Sequence, residues 1–558
     1  ETKRELIASA RLALDAWVAE HAALVPSQAE QRRIAQLGAA QLAAEIKAGK
    51  VTAVGATVTA CLRARRAGEL LNSNADERFL FAIDLARAAD AKLEAEGPAA
   101  CGPLHGVPVS IKDNIDLRHA DSTNGLMARC LSPSEANAAL VEALLAAGAI
   151  PFVKGNVPQL LMVPETVNNV FGRALNPWNT ERSPGGSSGG EAALVASYCS
   201  FLGIGTDIGG SIRTPCHFCG IVGFKPTSQR VSLAGCKHSS ALEINGQISV
   251  RAAAGPMARN VEDLRLALQV LWAESSPMFG ADPYTVPTPW RDLRPRSRRI
   301  GWFVEDGFFD TAPACARAVH VARDTLAGLG YELVPFSLPA GDAFVKLFIS
   351  AISADGKLRY TTSGMSGEPL LKEYRSSAQI AGIGPTSRQV LASILDRLGE
   401  TRKAIALRAG GLKTVAQHWE TNAELVLYRK ACTAAFQAAD LDVLICPGGT
   451  LPALTHGASE ELAISQSVNF LFNVLDWPSG IVPVTLAEED EGWEASTLQG
   501  RDKWFRLAAQ QLHGAGGLPV GIQVVGLPHH DELCLHVMSD LEQAIRPSGP
   551  VLPLPEFD

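Results

Sequence analysis

The chain has 558 residues, 47% hydrophobic composition and a formal net charge of −8, with 50 Lys and Arg against 58 Asp and Glu. That composition fits a globular protein with a sizeable core. It shows no basic stripe interleaved with aromatics, so it excludes a nucleic-acid partner, and no run reaches the ~20 apolar residues of a membrane span. Eleven scattered cysteines, an odd number, fit reduced thiols in a cytoplasmic setting better than a disulfide framework. The chain begins at Glu1 rather than Met, which fits a processed chain that has lost an upstream anchor or signal.

Residues 1–70 read as helices wrapping the core. Ile7, Leu14, Trp17 and Val18 share one helical face, and Leu42 pairs with Ile46 at i, i+4. Thr52 is placed to cap a helix that buries Val54, Val58 and Leu62. The catalytic body is expected over 71–558. Pro103 to Ile111 reads as a buried strand, Ala138 to Ala147 as a helix stopped by Gly148, and Ile150 to Val153 as the next strand. Strand, helix, strand with short joints is the βαβ pattern of a parallel sheet. Ala192 to Thr206 reads as a buried helix and strand. Further strands are expected at 300–303, 333–336, 442–445, 480–484 and 520–525, and helices at 312–329, 419–439 and 531–545. The fold class is therefore α/β, a large, mostly parallel mixed sheet surrounded by helices.

Residues 340–420 break this rhythm and read as a helical cap-like insertion. Within them, Arg388 to Arg408 is amphipathic, with Leu391, Ile394, Leu395, Leu398 and Ile405 on one face and Asp396, Arg397, Glu400 and Lys403 largely opposite.

The chemistry concentrates between Arg182 and Thr227. Gly-Gly-Ser187-Ser188-Gly-Gly is followed by Asp207-Ile-Gly-Gly-Ser211-Ile-Arg213. Glycines on both sides of a serine let backbone N–H groups approach a reacting atom. In the second motif, Ile208, Gly209, Gly210 and Ser211 can turn consecutive N–H groups toward a developing oxyanion. Upstream, Lys112 ends an apolar run, and partial desolvation of such a lysine favours the neutral amine. A lysine with two serines is a known variant of nucleophilic catalysis. The histidines offer no alternative: His105 and His217 lie near these motifs without an acid at a recognisable spacing. Cys216-His-Phe-Cys219 has half-site spacing but no second pair, so no metal is expected, and its side chains read as packing beneath the serine loop.

Together with Gly106-Val-Pro, Cys219-Gly-Ile-Val-Gly-Phe-Lys-Pro-Thr227, Asn473 to Thr485 and Gly517 to Gln523, these motifs resemble the amidase signature family, and within it the fatty acid amide hydrolase branch. The resemblance covers most of 40–545 and is weakest between about 340 and 420. It implies Ser211 as nucleophile, Ser187 as the bridging serine after a cis Gly186–Ser187 peptide, and Lys112 as base and then acid. Ser188, Asp207 and Arg213 are supporting residues: Ser188 as a structural hydrogen-bonder, Asp207 and Arg213 as an internal ion pair. The implied reaction cleaves fatty acid amides or N-acylethanolamines through an acyl-enzyme, with no cofactor, a small-molecule lipid amide as partner and a homodimer as assembly. The alternatives are other amides (aryl, short-chain, peptide or carbamate), a glutaminase-type subunit of a tRNA-dependent amidotransferase, and a non-catalytic binding protein, which the joint presence of Lys112, Ser187 and Ser211 opposes. In the branch the region near Arg388–Arg408 is a membrane-facing cap. Here it is more charged and less aromatic, so two readings stand: peripheral membrane contact, or a helix packed on the body or a dimer partner.

Overall fold

A computed structural model describes residues 2–356, 359–381, 383–546 and 553–554. Its centre is an eleven-stranded sheet. From one edge to the other the strands run Asn74–Glu77, Ile150–Gly155, Pro108–Lys112, Leu202–Asp207, Ala253–Ala258, Val222–Lys225, Ser479–Leu486, Pro519–Val525, Val443–Pro447, Arg299–Trp302 and Glu332–Pro335.

The sheet is mixed, and its parallel pairing is confined to two triplets. One joins Ile150–Gly155, Pro108–Lys112 and Leu202–Asp207. The other joins Val443–Pro447, Arg299–Trp302 and Glu332–Pro335. The helices Ala139–Ala146, Gly189–Ala196 and Pro313–Gly328 connect successive members of the triplets, as a parallel crossover requires. Between the triplets every pairing is antiparallel, so parallel strands hold less of the sheet than the βαβ rhythm predicts.

The first strand of that rhythm also starts later than Pro103. Leu104 to Val107 form a turn, with the Val107 N–H donating to Leu104 O at 3.0 Å, and Gly106 sits at φ 75°. The strand proper begins at Pro108 and ends on Lys112, all of it buried.

The amino-terminal helices Thr2–Glu20, Gln28–Gln36, Ala39–Lys47 and Ala53–Leu70 lie on this body. Leu14, Leu42, Ile46 and Val58 are buried in the same apolar cluster as Val109 and Ile111 of the sheet. Thr52 caps the fourth helix as expected, its hydroxyl accepting from the Gly55 N–H at 2.9 Å.

Between Ala343 and Ala409 the described residues hold helices and no strand. The amphipathic stretch is not one helix: Gly399, at φ 78°, divides it into Pro385–Arg397 and Thr401–Ala409, which pack as a hairpin. The expected apolar face splits with it. Leu391, Ile394 and Leu398 face outward with Val390, and Leu398 is 71% exposed. Leu395 and Ile405 turn toward the core. Arg388, at the start of the stretch, is buried, and its guanidinium donates to the carbonyls of Ile383, at 2.7 Å, and Gly410. Among the described residues no helix is long and apolar enough to cross a membrane.

Candidate active site

Three neighbouring elements of the first parallel triplet converge at the carboxyl ends of their strands. Lys112 ends one strand, Asp207 ends the next, and the helix Gly189–Ala196 begins immediately after Ser187 and Ser188. The carboxyl ends of parallel strands are where ligands bind in open α/β sheets.

Lys112 is fully buried and donates to Ser187 Oγ at 2.8 Å, to Thr206 Oγ1 at 2.9 Å and to Thr206 O at 3.2 Å. Burial pushes its ammonium down to about 7, against the opposing pull of Asp207 and Glu191. The amine is therefore available in neutral form near neutral pH, as the buried-strand reading requires.

The Gly186–Ser187 peptide is cis. The turn it belongs to is tied to the second serine loop, because the Ser188 N–H donates to Ser211 O at 3.1 Å. The Ser188 hydroxyl corrects its expected role: it is buried with no hydrogen-bond partner, and the backbone N–H makes the structural contact instead. Among the described residues the Ser187 and Ser211 hydroxyls are not hydrogen-bonded to each other.

The loop of Ser211 is organised by Asp207. Its carboxylate accepts from the Gly210 N–H at 2.9 Å and the Ile212 N–H at 3.1 Å, and pairs with the Arg213 guanidinium at 3.0 and 3.1 Å. Asn473 donates to Asp207 Oδ1 at 2.9 Å, and Arg213 reaches Asn473 Oδ1 at 2.6 Å and Gln523 Oε1 at 3.0 Å. Burial pushes the Asp207 carboxyl up, but Arg213, Lys225 and Asn473 together hold it well below the usual carboxylate range. The expected ion pair is thus present, and both partners are wholly buried. Gly210, at φ 106°, leaves no room for a side chain, since a Cβ there would lie 2.7 Å from Asn469 Cβ. The Gly210 N–H is already donated to Asp207, whereas the N–H groups of Ile208, Gly209 and Ser211 have no protein acceptor among the described residues.

Ser211 and Gly209 line a cavity of about 230 Å³ walled by Met162, Ile352 and the stacked rings of Phe348 and Phe470, 4.3 Å between centroids. A second cavity, about 460 Å³, shares Met162, Ile208 and Ile352 with the first and is bordered by His238, Gln247, Tyr360, Lys413 and His418. The larger cavity does not reach Ser211; the smaller one does. The loop carrying His238 is tied to the segment after Lys112, because Asn114, two residues beyond it, donates to Lys237 O at 3.4 Å.

The other sequence candidates resolve into packing. His105 Nε2 lies 3.1 Å from Ala89 O, and His217 is fixed between Leu451 O and the Gly521 N–H, each at 3.1 Å. Burial pushes His217 down to about 4. Cys216 and Cys219 belong to the helix Arg213–Cys219 and are buried with Ile212, Met257 and Ile481 beneath the serine loop. Sequence reasoning missed Thr206, Glu191, Asn473 and Gln523 as site residues, although all four lie in or beside the quoted motifs.

The comparisons with known proteins agree with this geometry. The family model described as Amidase matches residues 56–535. Fatty-acid amide hydrolase 1 of Sus scrofa is 36% identical over 461 residues, covering 80% of this chain and 76% of that protein. Fatty acid amide hydrolase 1 of Caenorhabditis elegans is 30% identical over 528 residues, covering 92% and 90%. A solved fatty acid amide hydrolase structure, 26% identical, superposes with a TM-score of 0.81 over 97% of this chain and 90% of that one. With sheet, loop and sequence in agreement, the chain belongs to the amidase signature family as an amide hydrolase similar to the fatty acid amide hydrolases.

Proposed function

We propose that the protein hydrolyses fatty acid amides or N-acylethanolamines through an acyl-enzyme on Ser211. The observation that carries this reading is a buried Lys112 hydrogen-bonded to Ser187, its ammonium pushed down to about 7, beside a serine loop that opens into an apolar cavity. Neutral Lys112 takes the Ser187 proton while Ser187 takes the Ser211 proton, and Ser211 Oγ forms a bond to the amide carbon. The relay requires the two serine hydroxyls to close on each other once substrate is bound. The oxyanion accepts from the open N–H groups of Ile208, Gly209 and Ser211. Lys112 returns the proton through Ser187 to the nitrogen, the C–N bond breaks and the amine leaves. Water then repeats the sequence on the ester.

The acyl chain occupies the cavity containing Ser211, and the amine leaves on the side of the His238 loop, which borders the adjoining larger cavity. The outward apolar face of the hairpin, Val390, Leu391, Ile394 and Leu398, supports a peripheral contact with a lipid surface.

The reading is tested with amides that differ only in acyl length. Each methylene removed from water gains ~0.8 kcal/mol, about fourfold in binding. The kcat/KM should therefore climb steeply from butanoyl to dodecanoyl amides, measured below their aggregation limits, and then level off. Serine at positions 391, 394 and 398 together should weaken liposome binding and leave hydrolysis of a short soluble amide nearly intact. A flat chain-length profile with best activity on aryl or short amides overturns the fatty acyl assignment and leaves the amidase chemistry standing.

A further inference from the structure

Behind the base lies a second ionisable group that the relay does not use. Glu191 stands in the first turn of the helix Gly189–Ala196 and is wholly buried. Its Oε2 accepts from the Ser110 hydroxyl at 2.5 Å. Its Oε1 lies against Gly155 without a hydrogen-bond partner. The slot is made by two glycines: a Cβ at Gly155 would come 2.2 Å from Oε1, and one at Gly203 2.8 Å from Oε2. Gly155 is the register partner of Lys112, and Gly203 that of Ser110. Ser110 and Lys112 alternate to the same face of their strand, about 6–7 Å apart along it.

We propose that Glu191 is a positioning residue for the amide hydrolysis: its carboxyl, seated on Ser110 in the glycine slot beside the strand that ends on Lys112, sets the basicity of Lys112. The inference rests on Lys112 being the base of the relay. No cation forms a salt bridge with this carboxyl among the described residues. The charges acting on it are Lys112 and Lys154, and Lys154 is itself held by Asp121 O and Ser122 Oγ. Asp207, Cys236 and Asp113 are the other titratable groups acting on Lys112; Asp207 is committed to Arg213. On the packed helix Arg213–Cys219, the ring of His217 is held by backbone groups.

Burial pushes the Glu191 carboxyl up to about 8, against the Ser110 hydroxyl, the Gly155 backbone it lies against and the two lysines. Lys112 and Glu191 act on each other, so their protons leave in two steps that belong to the pair, and while the carboxyl keeps its proton Lys112 lacks the carboxylate's pull and is the weaker base. As pH rises further, Glu191 loses its proton and the carboxylate stabilises the ammonium that forms on Lys112 during attack. A carboxylate neighbouring the amine strengthens it by roughly one to two pH units, which proton transfer converts into about a three- to tenfold gain in rate.

The test is the pH profile of kcat/KM on a soluble amide, together with difference infrared spectra. Wild type should show two rises, through about 7 and about 8, and a carboxylic-acid C=O band that disappears across the second. Glu191→Gln should keep the first rise and lose both the second rise and the band. Ser110→Ala removes a donor to the carboxylate, so the second rise should move to higher pH with the first in place. A Glu191→Gln profile that is the wild-type curve scaled by a constant overturns the proposal. So does a carboxyl band in wild type that is already gone below pH 6, a measurement that needs no variant to fold. If the first rise survives in Lys112→Met, the base assignment has failed instead, and the infrared titration of Glu191 still reads independently.

Discussion

Ser211→Ala is expected to lower kcat/KM for an amide by roughly 10³- to 10⁶-fold, the range seen when a nucleophile acting as part of a unit is removed. The loss should fall in kcat, because Ser211 makes its bond only as the reaction proceeds, while the cavity walls of Phe348, Phe470 and Ile352 still receive the substrate. A fluorophosphonate should add one mass increment to the wild-type protein, on the peptide holding Ser211, and none to the variant. Labelling that persists in Ser211→Ala would place the nucleophile elsewhere.

Lys112→Met should move activity and stability in opposite directions. General acid–base catalysis contributes about 10²- to 10⁴-fold, and that is the expected loss in kcat/KM on amides, with the rise through about 7 gone from the pH profile. Amides should suffer at least as much as activated esters when acylation is limiting, because an amine leaves only once protonated. For stability, the folded-state value near 7 lies below the ordinary ~10.4 of lysine. Between the two, the unfolded chain binds a proton that the folded chain does not, so stability rises with pH across that window. At pH 7 the buried amine therefore costs on the order of 4 kcal/mol. Methionine removes that penalty and leaves Ser187 Oγ, Thr206 Oγ1 and Thr206 O each short of one donor, about 1 kcal/mol apiece. The net expectation is a higher Tm by calorimetry at pH 7, with the gain shrinking toward pH 10. A variant that melts lower at pH 7 would mean that Lys112 is charged in the folded protein.

How much of this was legible in the sequence depends on the kind of signal. Lys112 and both serine loops were readable because glycines and short apolar runs mark them locally. Strands 300–303, 442–445 and 520–525 were readable as apolar runs between turn residues and appear within two residues of where they were expected. Val222–Lys225 and Ala253–Ala258 were not read as strands: both are short, wholly buried and interrupted by glycine or proline, so they show no alternation. Their antiparallel pairing fills the middle of the sheet and is what limits its parallel part. The partners of the charged groups were illegible for a different reason. Thr206 meets Lys112 across 94 positions, and Asn473 meets Asp207 across 266. Such contacts exist only once the sheet has closed, and no local pattern announces them. The break at Gly399 was visible as a glycine but not as a reversal, because the apolar spacing continues across it.

The Asp207–Arg213 pair has a consequence for how pH acts on this enzyme. An arginine stays charged throughout the accessible range, and a carboxylate held this low gives up its contribution only as pH falls through its own depressed value, in strong acid. The backbone that presents Ser211 is therefore clamped by charges that do not change under any condition in which an amide is turned over. Frame and motor are separated: the mould for the oxyanion keeps its shape while the proton inventory behind it varies. Near neutrality the clamp therefore adds no titration of its own to the dependence of rate on pH. The chemistry can thus be retuned to another pH by substitutions behind the base, with the nucleophile's setting left untouched.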